Sequence, residues 1–253
     1  MQHVQPKKSL GQHFLRDENI ARKIVNSIPE EATNILEIGP GEGILSKYIY
    51  AQDHRNAYYI DTDKEIADFL IHTYPEMSSR IIVGDFLKYD IGQLFEDKYS
   101  LVGNLPYNIS SQIFFKALEH RNKLEYMVFM IQKEVAERIA SPPGNKKYGI
   151  LSVLLQAFFS IEYLFTVNEG VFYPPPRVKS AMIRLTRNET ARLNCNEKLF
   201  FQVVKAGFNQ RRKTLRNALK PLGRDLSELP ASLLGKRAEQ LHVEDFVMIA
   251  GSL

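Results

Sequence analysis

The sequence predicts an α/β fold built on a mostly parallel β-sheet. In the first two-thirds of the chain, short apolar segments alternate with amphipathic segments, which is typical of a parallel sheet covered by helices on both faces. A glycine-rich loop (residues 37–43) directly follows the first apolar segment, and an Asn-Leu-Pro-Tyr tetrad (residues 104–107) follows the fourth. Beyond residue 186 the pattern becomes short, charged and helical, which indicates a small helical domain.

Each element has its own sequence signal. Asp63 and Ser111 are predicted N-caps, because their side-chain oxygens can accept from free backbone N–H groups. The Pro-Pro-Gly break after Ser141 and the three prolines at 174–176 separate the later elements. We place a large domain at residues 1–187 and a small one at residues 188–253. The predicted strands are 34–38, 57–60, 80–83, 101–103, 126–131, 161–167 and 179–185, and the predicted helices are 44–51, 63–73, 111–119, 133–140 and 148–159.

Composition narrows the class of protein. A chain of 253 residues with 44% hydrophobic and 25% charged residues has the ordinary make-up of a globular protein with a large core. Residues 1–8 do not resemble a signal peptide, and no apolar run approaches the length of a membrane span. The single cysteine, Cys195, excludes an internal disulfide and a cysteine-rich metal site. We therefore expect a cytoplasmic protein without a metal.

The basic residues concentrate towards the C-terminus. Residues 187–253 carry 12 Lys and Arg against 7 Asp and Glu, a net charge of +5, whereas the remainder of the chain carries −1. Between Lys205 and Arg224 there are seven basic residues and no acidic ones. Such a segment favours a polyanion such as RNA as a partner, although a solvated helix face would give the same charge pattern.

The glycine-rich loop suits a nucleoside cofactor. Gly39, Gly41 and Gly43 alternate along the loop, and Glu37 precedes them. Glycine lets the backbone turn sharply and come close to a ligand, and the following helix presents free N–H groups. A dinucleotide site would have the spacing Gly-x-Gly-x-x-Gly, so the observed spacing favours an S-adenosylmethionine loop. A tight turn without a ligand is the alternative.

Two aspartates follow the next two predicted strands. Asp61 ends the second strand at the distance along the chain where an acid usually accepts from both ribose hydroxyls of a nucleoside. Asp85 follows the third strand, where its carboxylate could accept from an adenine amine. An aspartate after a strand is also a common helix cap, so the prediction for Asp85 depends on its neighbours.

The tetrad at residues 104–107 suits an enzyme that holds an exocyclic amine. The N6 amine of adenine is a poor nucleophile because its lone pair is delocalised into the ring. The side-chain oxygen of Asn104 and the backbone carbonyl of Leu105 can accept from both N–H groups and shift the nitrogen towards tetrahedral geometry. Pro106 stiffens the turn, and Tyr107 offers a face on which a base can stack. A surface turn is the alternative, since Asn and Pro are common turn residues.

With these motifs the chain resembles the adenine-N6 ribosomal RNA dimethyltransferase family of the KsgA/RsmA type, to which the Erm resistance methylases are related. The resemblance covers nearly the whole length, and the combination of motifs is highly specific. The Asn-Ile-Ser sequence after the tetrad resembles the bacterial 16S branch more than the Erm branch. The matching segments are 11–15, 37–43, 104–110, 132–138, 172–176, 178, 180–181 and 208–217.

The resemblance implies a class I S-adenosylmethionine-dependent methyltransferase fold, which is Rossmann-like with a mostly parallel seven-stranded sheet. It implies that Asn104, Leu105, Tyr107 and Phe172 act on the target adenine, with Tyr107 and Phe172 stacking on its two faces. It implies activity on 16S rRNA in the small ribosomal subunit. A monomer is the default expectation, because the sequence carries no signal of oligomeric state. The cofactor-binding residues would be His13, Leu15, Gly39, Gly41, Asp61, Asp85 and Asn104.

One position departs from the pattern expected for this family. We expect an acid two residues before Asp61, where this chain has Tyr59. We therefore include Tyr59 among the expected cofactor-binding residues, on the hypothesis that Asp61 or the Tyr59 hydroxyl partly replaces the missing carboxylate and that the cofactor binds less tightly than usual.

The expected function is S-adenosylmethionine-dependent dimethylation of two adjacent adenosines near the 3′ end of small-subunit rRNA. We expect the RNA to lie between the two domains. An Erm-type enzyme acting on 23S rRNA and a largely non-catalytic ribosome assembly factor are alternatives. A DNA adenine methylase is disfavoured because those enzymes typically have proline where Leu105 stands. The expected phosphate contacts are Lys205, Arg211, Arg212, Lys213 and Arg216.

Overall fold

A seven-stranded sheet is the centre of the fold in the computed structural model, which describes residues 4–253. The strand order is β4-β3-β2-β5-β6-β9-β7, and the pairs β3–β4, β2–β3, β2–β5 and β5–β6 are parallel, whereas β6–β9 is antiparallel. This confirms the predicted mostly parallel seven-stranded α/β fold. The sheet strands are β2 (Asn34–Ile38), β3 (Asn56–Asp61), β4 (Ile81–Val83), β5 (Tyr99–Asn104), β6 (Leu124–Gln132), β7 (Phe159–Val167) and β9 (Ser180–Arg187).

A two-stranded antiparallel ladder lies apart from this sheet. It pairs β1 (Phe14–Leu15) with β8 (Phe172–Tyr173). The α-helices are α1 (Glu18–Val25), α2 (Ser46–Tyr50), α3 (Lys64–Thr73), α4 (Ser110–Glu119), α5 (Lys133–Ile139), α6 (Ile150–Gln156), α7 (Glu197–Asn209), α8 (Leu215–Leu219), α9 (Ala231–Leu234) and α10 (Val243–Gly251). No helix among the described residues is long and apolar enough to cross a membrane.

The helix starts show one confirmed and one wrong prediction. Asp63 is the N-cap of α3, and its side chain accepts from the backbone N–H of Glu65 at 3.1 Å. Ser111 is not a cap, because α4 already begins at Ser110 and the residue before it, Ile109, has no capping side chain. The predicted helix 148–159 ends early, at Gln156, because β7 begins at Phe159.

The described residues form two compact units. Residues 4–136 and Glu162–Arg187 form the first unit, and Glu137–Ile161 and Asn188–Leu253 form the second. Residues 137–161 are thus grouped with the C-terminal helices, whereas the division placed from the sequence between residues 187 and 188 stays a prediction. Within the second unit the ring of Tyr148 lies 6.0 Å from that of Phe208, so aromatic packing ties this earlier segment to α7.

The order of the strands places one site on the sheet. The chain runs outwards from β2 through β3 to β4 and then returns to the other side of β2 at β5. Ligands of open parallel sheets bind outside the carboxyl ends of the strands at such a reversal. Here β2 ends at Ile38, β3 at Asp61 and β5 at Asn104, so the glycine-rich loop, the first aspartate and the tetrad meet at one edge.

Gly103 allows β5 to approach β2 at this edge. A Cβ atom added at Gly103 would lie 2.5 Å from the backbone carbonyl oxygen of Ile38. A backbone atom in a central strand cannot move aside as a flexible side chain can. The neighbouring Asn104 therefore depends on a glycine before it for its position beside β2.

We expect Gly103→Ala to lower the free energy of unfolding by roughly 1–3 kcal/mol, as overpacking in a core typically does. The measurement is urea-induced unfolding. Gly84→Ala is the matched control, since its added Cβ would have its nearest neighbour at an ordinary 3.6 Å. Equal stability of the two variants would contradict a close approach at Gly103.

Candidate active site

A cavity opens at the carboxyl ends of β2, β3 and β5. Its volume of about 270 Å³ is close to the lower end of the range for small-molecule sites, roughly 300–1,000 Å³. The N-terminal segment 9–15 covers one side, and the glycine-rich loop forms another. Of the site residues expected from the sequence, it is lined by His13, Leu15, Gly39, Gly41, Asp61, Asp85, Asn104, Leu105 and Tyr107.

The glycine-rich loop has the backbone that a ligand cradle needs. Gly39 and Gly41 have φ angles of +67° and +55°, in the left-handed region that side chains disfavour. The N–H of Gly39 donates to the carbonyl of Ile60 at 2.9 Å, which fixes the loop against β3. No heavy atom lies within 4 Å of the position of a Cβ on Gly39, so a ligand can approach the backbone there.

Two acids of different character line the cavity. Burial raises the pKa of Asp61 to about 6, although a hydrogen bond of 2.8 Å from the N–H of Asp63 stabilises the ionised form and limits the shift. Burial also raises the pKa of Glu37 to about 8, although Ser46 Oγ donates to its carboxyl group at 2.7 Å. At neutral pH Asp61 is therefore mostly ionised and able to accept from ribose hydroxyls, whereas Glu37 is mostly neutral.

Asp85 has a more open setting. Its side chain is 37% exposed and lies 3.7 Å from the ammonium group of Lys88. One carboxylate oxygen accepts from the N–H of Leu87 at 3.0 Å, which fixes the side chain as in an Asx turn. The second oxygen faces the Lys88 ammonium group and can also accept from a donor such as an adenine amine.

Tyr59 does not line the cavity. Its side chain is fully buried in the core beneath α1 and α2, and its hydroxyl donates to the carbonyl of Ser46 at 3.4 Å. The expectation that this hydroxyl contacts the cofactor is therefore wrong. Asp61, the other residue of that hypothesis, supplies a carboxylate at the end of β3, and the expected lower affinity for the cofactor stays a prediction.

The tetrad presents two acceptors without donors. The Nδ2 group of Asn104 donates to the carbonyl of His13 at 2.9 Å, which fixes the orientation of the amide. Within residues 4–253, no group donates to the side-chain oxygen of Asn104 or to the carbonyl of Leu105. Asn104 is thus held by its side-chain nitrogen. Its side-chain oxygen and the backbone oxygen of Leu105 are both available to a ligand.

Tyr107 is held by two contacts. Its hydroxyl forms a hydrogen bond of 2.6 Å with Ser180 Oγ, and its ring stacks on that of His13 with centroids 5.6 Å apart. His13 is itself fixed, because its Nδ1 lies 2.7 Å from the carbonyl of Pro174 and must donate to it. Burial raises the pKa of Tyr107, so its hydroxyl stays neutral.

Phe172 is not among the cavity residues. It is 4% exposed and packs in the same core as Leu15, its partner on the β1–β8 ladder. Only Leu15 of this pair reaches the cavity. The structure therefore places Tyr107 but not Phe172 at the cavity, and the predicted stacking of an adenine between the two rings stays a prediction.

Sequence reasoning missed several supporting residues. Gln12 donates to the side chain of Asp63 at 3.2 Å and so anchors the N-terminal segment to the start of α3. Ser46 holds Glu37, and Ser180 holds Tyr107. Single polar residues of this kind have no spacing signal, and only their partners in the folded chain mark them.

The predicted RNA contacts divide into two groups. Arg211 is engaged within the second unit: its guanidinium contacts Glu239 at 2.6 Å and the carbonyls of Lys146 and Tyr148. It is therefore better explained as a structural residue than as a phosphate contact. The other four, Lys205, Arg212, Lys213 and Arg216, are exposed on α7, α8 and the turn between them.

The fold is that of solved methyltransferase structures. A dimethyladenosine transferase from Plasmodium falciparum matches with a TM-score of 0.77 and 24% identity, over 94% of this chain and 96% of that chain. The 23S rRNA methyltransferase ErmE matches with a TM-score of 0.67 and 22% identity, over 94% of this chain and 99% of that chain.

The chain belongs to the ribosomal RNA adenine dimethylase family, whose sequence model matches residues 3–253. A protein of Parabacteroides distasonis is 51% identical over 98% of this chain and 93% of its own length. A protein of Bacteroides thetaiotaomicron is 52% identical over 100% of this chain and 96% of its own length. Both are named ribosomal RNA small subunit methyltransferase A.

We expect Glu37→Gln to become steadily more stable relative to the unmutated protein between about pH 5 and pH 8. A carboxyl group whose pKa is raised on folding contributes stability below its unfolded value of 4.5, and this contribution is lost as the pH rises through about 8. The glutamine oxygen still accepts from Ser46 but cannot ionise. The measurement is the free energy of unfolding of both proteins across this range.

Glu96→Gln, at an exposed position, is the control and should leave the pH profile unchanged. A stability difference between Glu37→Gln and the unmutated protein that is constant from pH 5 to pH 8 would contradict a neutral, buried Glu37.

Neutralising Arg212, Lys213 or Arg216 singly to Gln should weaken RNA binding and reduce the slope of log K against log salt concentration by roughly 0.7–0.9 for each phosphate that is no longer neutralised. Arg211→Gln should instead lower the thermal stability and leave the slope nearly unchanged, because its guanidinium is held by Glu239 and two carbonyls. Unchanged slopes for the first three variants would mean that this face is only solvated.

Proposed function

We propose that this protein transfers methyl groups from S-adenosylmethionine to N6 of two adjacent adenosines near the 3′ end of small-subunit rRNA, twice on each. The observation that carries the proposal is the pair of unpaired oxygens on Asn104 and Leu105 at the edge of the cofactor cavity. The family and relatives named for the small subunit support the substrate.

The residues around the cavity fit S-adenosylmethionine. The open backbone at Gly39 accommodates the methionine portion, Asp61 accepts from the ribose hydroxyls, and Asp85 accepts from the adenine amine. When bound, this cofactor supplies an electrophilic methyl group on a sulfonium. The acidic side chains of Asp61 and Asp85 also favour a cofactor that carries positive charge.

Asn104 and Leu105 act on the target amine. In the first transfer their oxygens accept from its two N–H groups, and in the second from the one N–H that remains, which localises the nitrogen lone pair for attack on the methyl carbon. With the cofactor bound, its sulfonium would supply the methyl group to the nitrogen that Asn104 and Leu105 hold, and the methylated amine would release its proton to water. Catalysis is therefore positioning and electrostatics, and no side chain has to act as a base.

Tyr107 supplies the stacking face for the target adenine. The ring is fixed by Ser180 on its hydroxyl and by His13 on one side, so it need not be ordered when the substrate binds. A pre-oriented aromatic ring binds a base at a lower entropic cost than a mobile one.

Two alternatives remain distinguishable by experiment. An Erm-type enzyme would act on 23S rRNA, and the similarity to ErmE at 22% identity extends to the fold alone. An assembly factor would bind the small subunit without methylating it. The two available acceptors of the tetrad favour an enzyme over the second alternative.

Asn104→Ala should lower kcat by roughly 10²–10³-fold at saturating cofactor, since it removes one preorganised contact to the reacting amine. Binding to the small subunit should change little, because this side chain contributes little of the RNA contact area. Cofactor affinity is measured in parallel, since Asn104 also holds His13 in the cavity wall. Unchanged kcat would rule out a role of Asn104 in catalysis.

The function itself is tested with labelled S-adenosylmethionine on small and large subunits that lack adenine dimethylation, with the modified positions mapped. We expect label on two adjacent adenosines of the small-subunit rRNA. Label on the large subunit alone would assign the Erm activity, and tight binding without label would assign an assembly factor.

A further inference from the structure

An exposed tyrosine lies next to the wall of the cavity. On the β1–β8 ladder, Phe14 pairs with Tyr173 and Leu15 with Phe172. Opposite residues of an antiparallel pair share a face, and successive residues alternate. Leu15 and Phe172 face the core, whereas Tyr173 is 50% exposed although its partner Phe14 lines the cavity.

A cation covers this tyrosine. The guanidinium carbon of Arg16 lies 5.0 Å from the centroid of the Tyr173 ring, within the range of a cation–π contact. Arg16 also contacts Glu42 at 3.4 Å, which fixes its position and offsets part of its charge. The arginine orients the ring, and half of the tyrosine surface remains open to solvent.

The chain around Tyr173 is basic. Arg177 and Lys179 follow it at exposed positions, and residues 170–180 contain no Asp or Glu. Val178 beside them is 45% exposed. An open aromatic ring next to exposed positive charge is the combination by which proteins bind single-stranded nucleic acid, through base stacking and phosphate contacts.

A nucleotide must occupy the region outside the cavity when the substrate is bound. An adenosine whose N6 enters the cavity has left the base stack, so the bases on either side of it lose a stacking partner. Tyr173 pairs through its backbone with Phe14 in the cavity wall, and Pro174 contacts His13 there. Tyr173 therefore lies beside the wall of the cavity that the target base would enter.

We propose that Tyr173, oriented by Arg16, is the platform on which the nucleobase next to the target adenosine stacks. This inference rests on the proposed function, because it assumes an RNA strand whose adenosine enters the cavity. In the case of two adjacent targets, the stacked base is the other adenosine of the pair during one of the two reactions.

Tyr173→Ala should lower kcat/KM on undimethylated small subunits by roughly 5- to 150-fold, which corresponds to the loss of one stacked base. Tyr173→Phe, the matched control, keeps the ring and should retain activity within about threefold, and Tyr173→Leu should behave like alanine. Cofactor affinity and thermal stability should be the same in all three variants, since the side chain is exposed and outside the cavity.

Substrate variants make the test specific to a base. Small subunits are reconstituted with rRNA that carries an abasic residue on either the 5′ or the 3′ side of the adenosine pair. If Tyr173 stacks on the base on only one side of the target, only one of the two abasic positions should lower methylation. The loss should be confined to the adenosine next to that position. Combining that substrate with Tyr173→Ala should cause no further loss at that adenosine.

Several outcomes would overturn the platform. If the unmutated protein methylates the rRNA and Tyr173→Ala has the same kcat/KM, the platform is overturned and the proposed function is left intact. Additive losses from the abasic residue and the alanine variant would also overturn it. A loss seen on whole subunits but absent on protein-free rRNA that is methylated would assign Tyr173 to a protein contact. Absence of methylation by the unmutated protein would count against the proposed function instead.

Discussion

The close approach of β5 to β2 is the constraint on which the site depends. Gly103 has no Cβ, so its backbone can lie against the Ile38 carbonyl, where an added Cβ would be 2.5 Å away. The same two strands carry the glycine-rich loop and the tetrad at their carboxyl ends. Because both elements leave the sheet at the strand reversal, the glycine-rich loop and the tetrad line the same cavity.

The cavity is held together by polar interactions with the N-terminal segment. The Asn104 amide bonds the backbone at His13, the His13 ring bonds the backbone at Pro174, and Gln12 bonds the cap of α3. Each hydrogen bond joins residues that are far apart in the chain. The N-terminal wall of the cavity is thus fixed in part by a side chain of the tetrad, Asn104.

The two buried acids of the cavity differ in how far their pKa values are raised. Glu37 and Asp61 are both buried, and burial raises both pKa values, but only Glu37 is shifted to about 8. Backbone N–H groups at the start of α3 partly offset the cost of ionising Asp61, whereas Glu37 receives a single hydroxyl donor. Near neutral pH one acid is therefore mostly ionised and the other mostly neutral.

The sequence by itself determined the sheet, the position of the loop and the identity of the tetrad, because hydrophobic alternation and glycine spacing are local signals. It did not determine the burial of Tyr59, the engagement of Arg211 by Glu239 and two carbonyls, or the grouping of residues 137–161 with the C-terminal helices. Nor did it indicate that the close approach of β5 to β2 requires a glycine at position 103, or that Tyr173 is exposed while Phe172 is buried. Those features depend on which side chains from distant segments meet, and only the tertiary structure decides this.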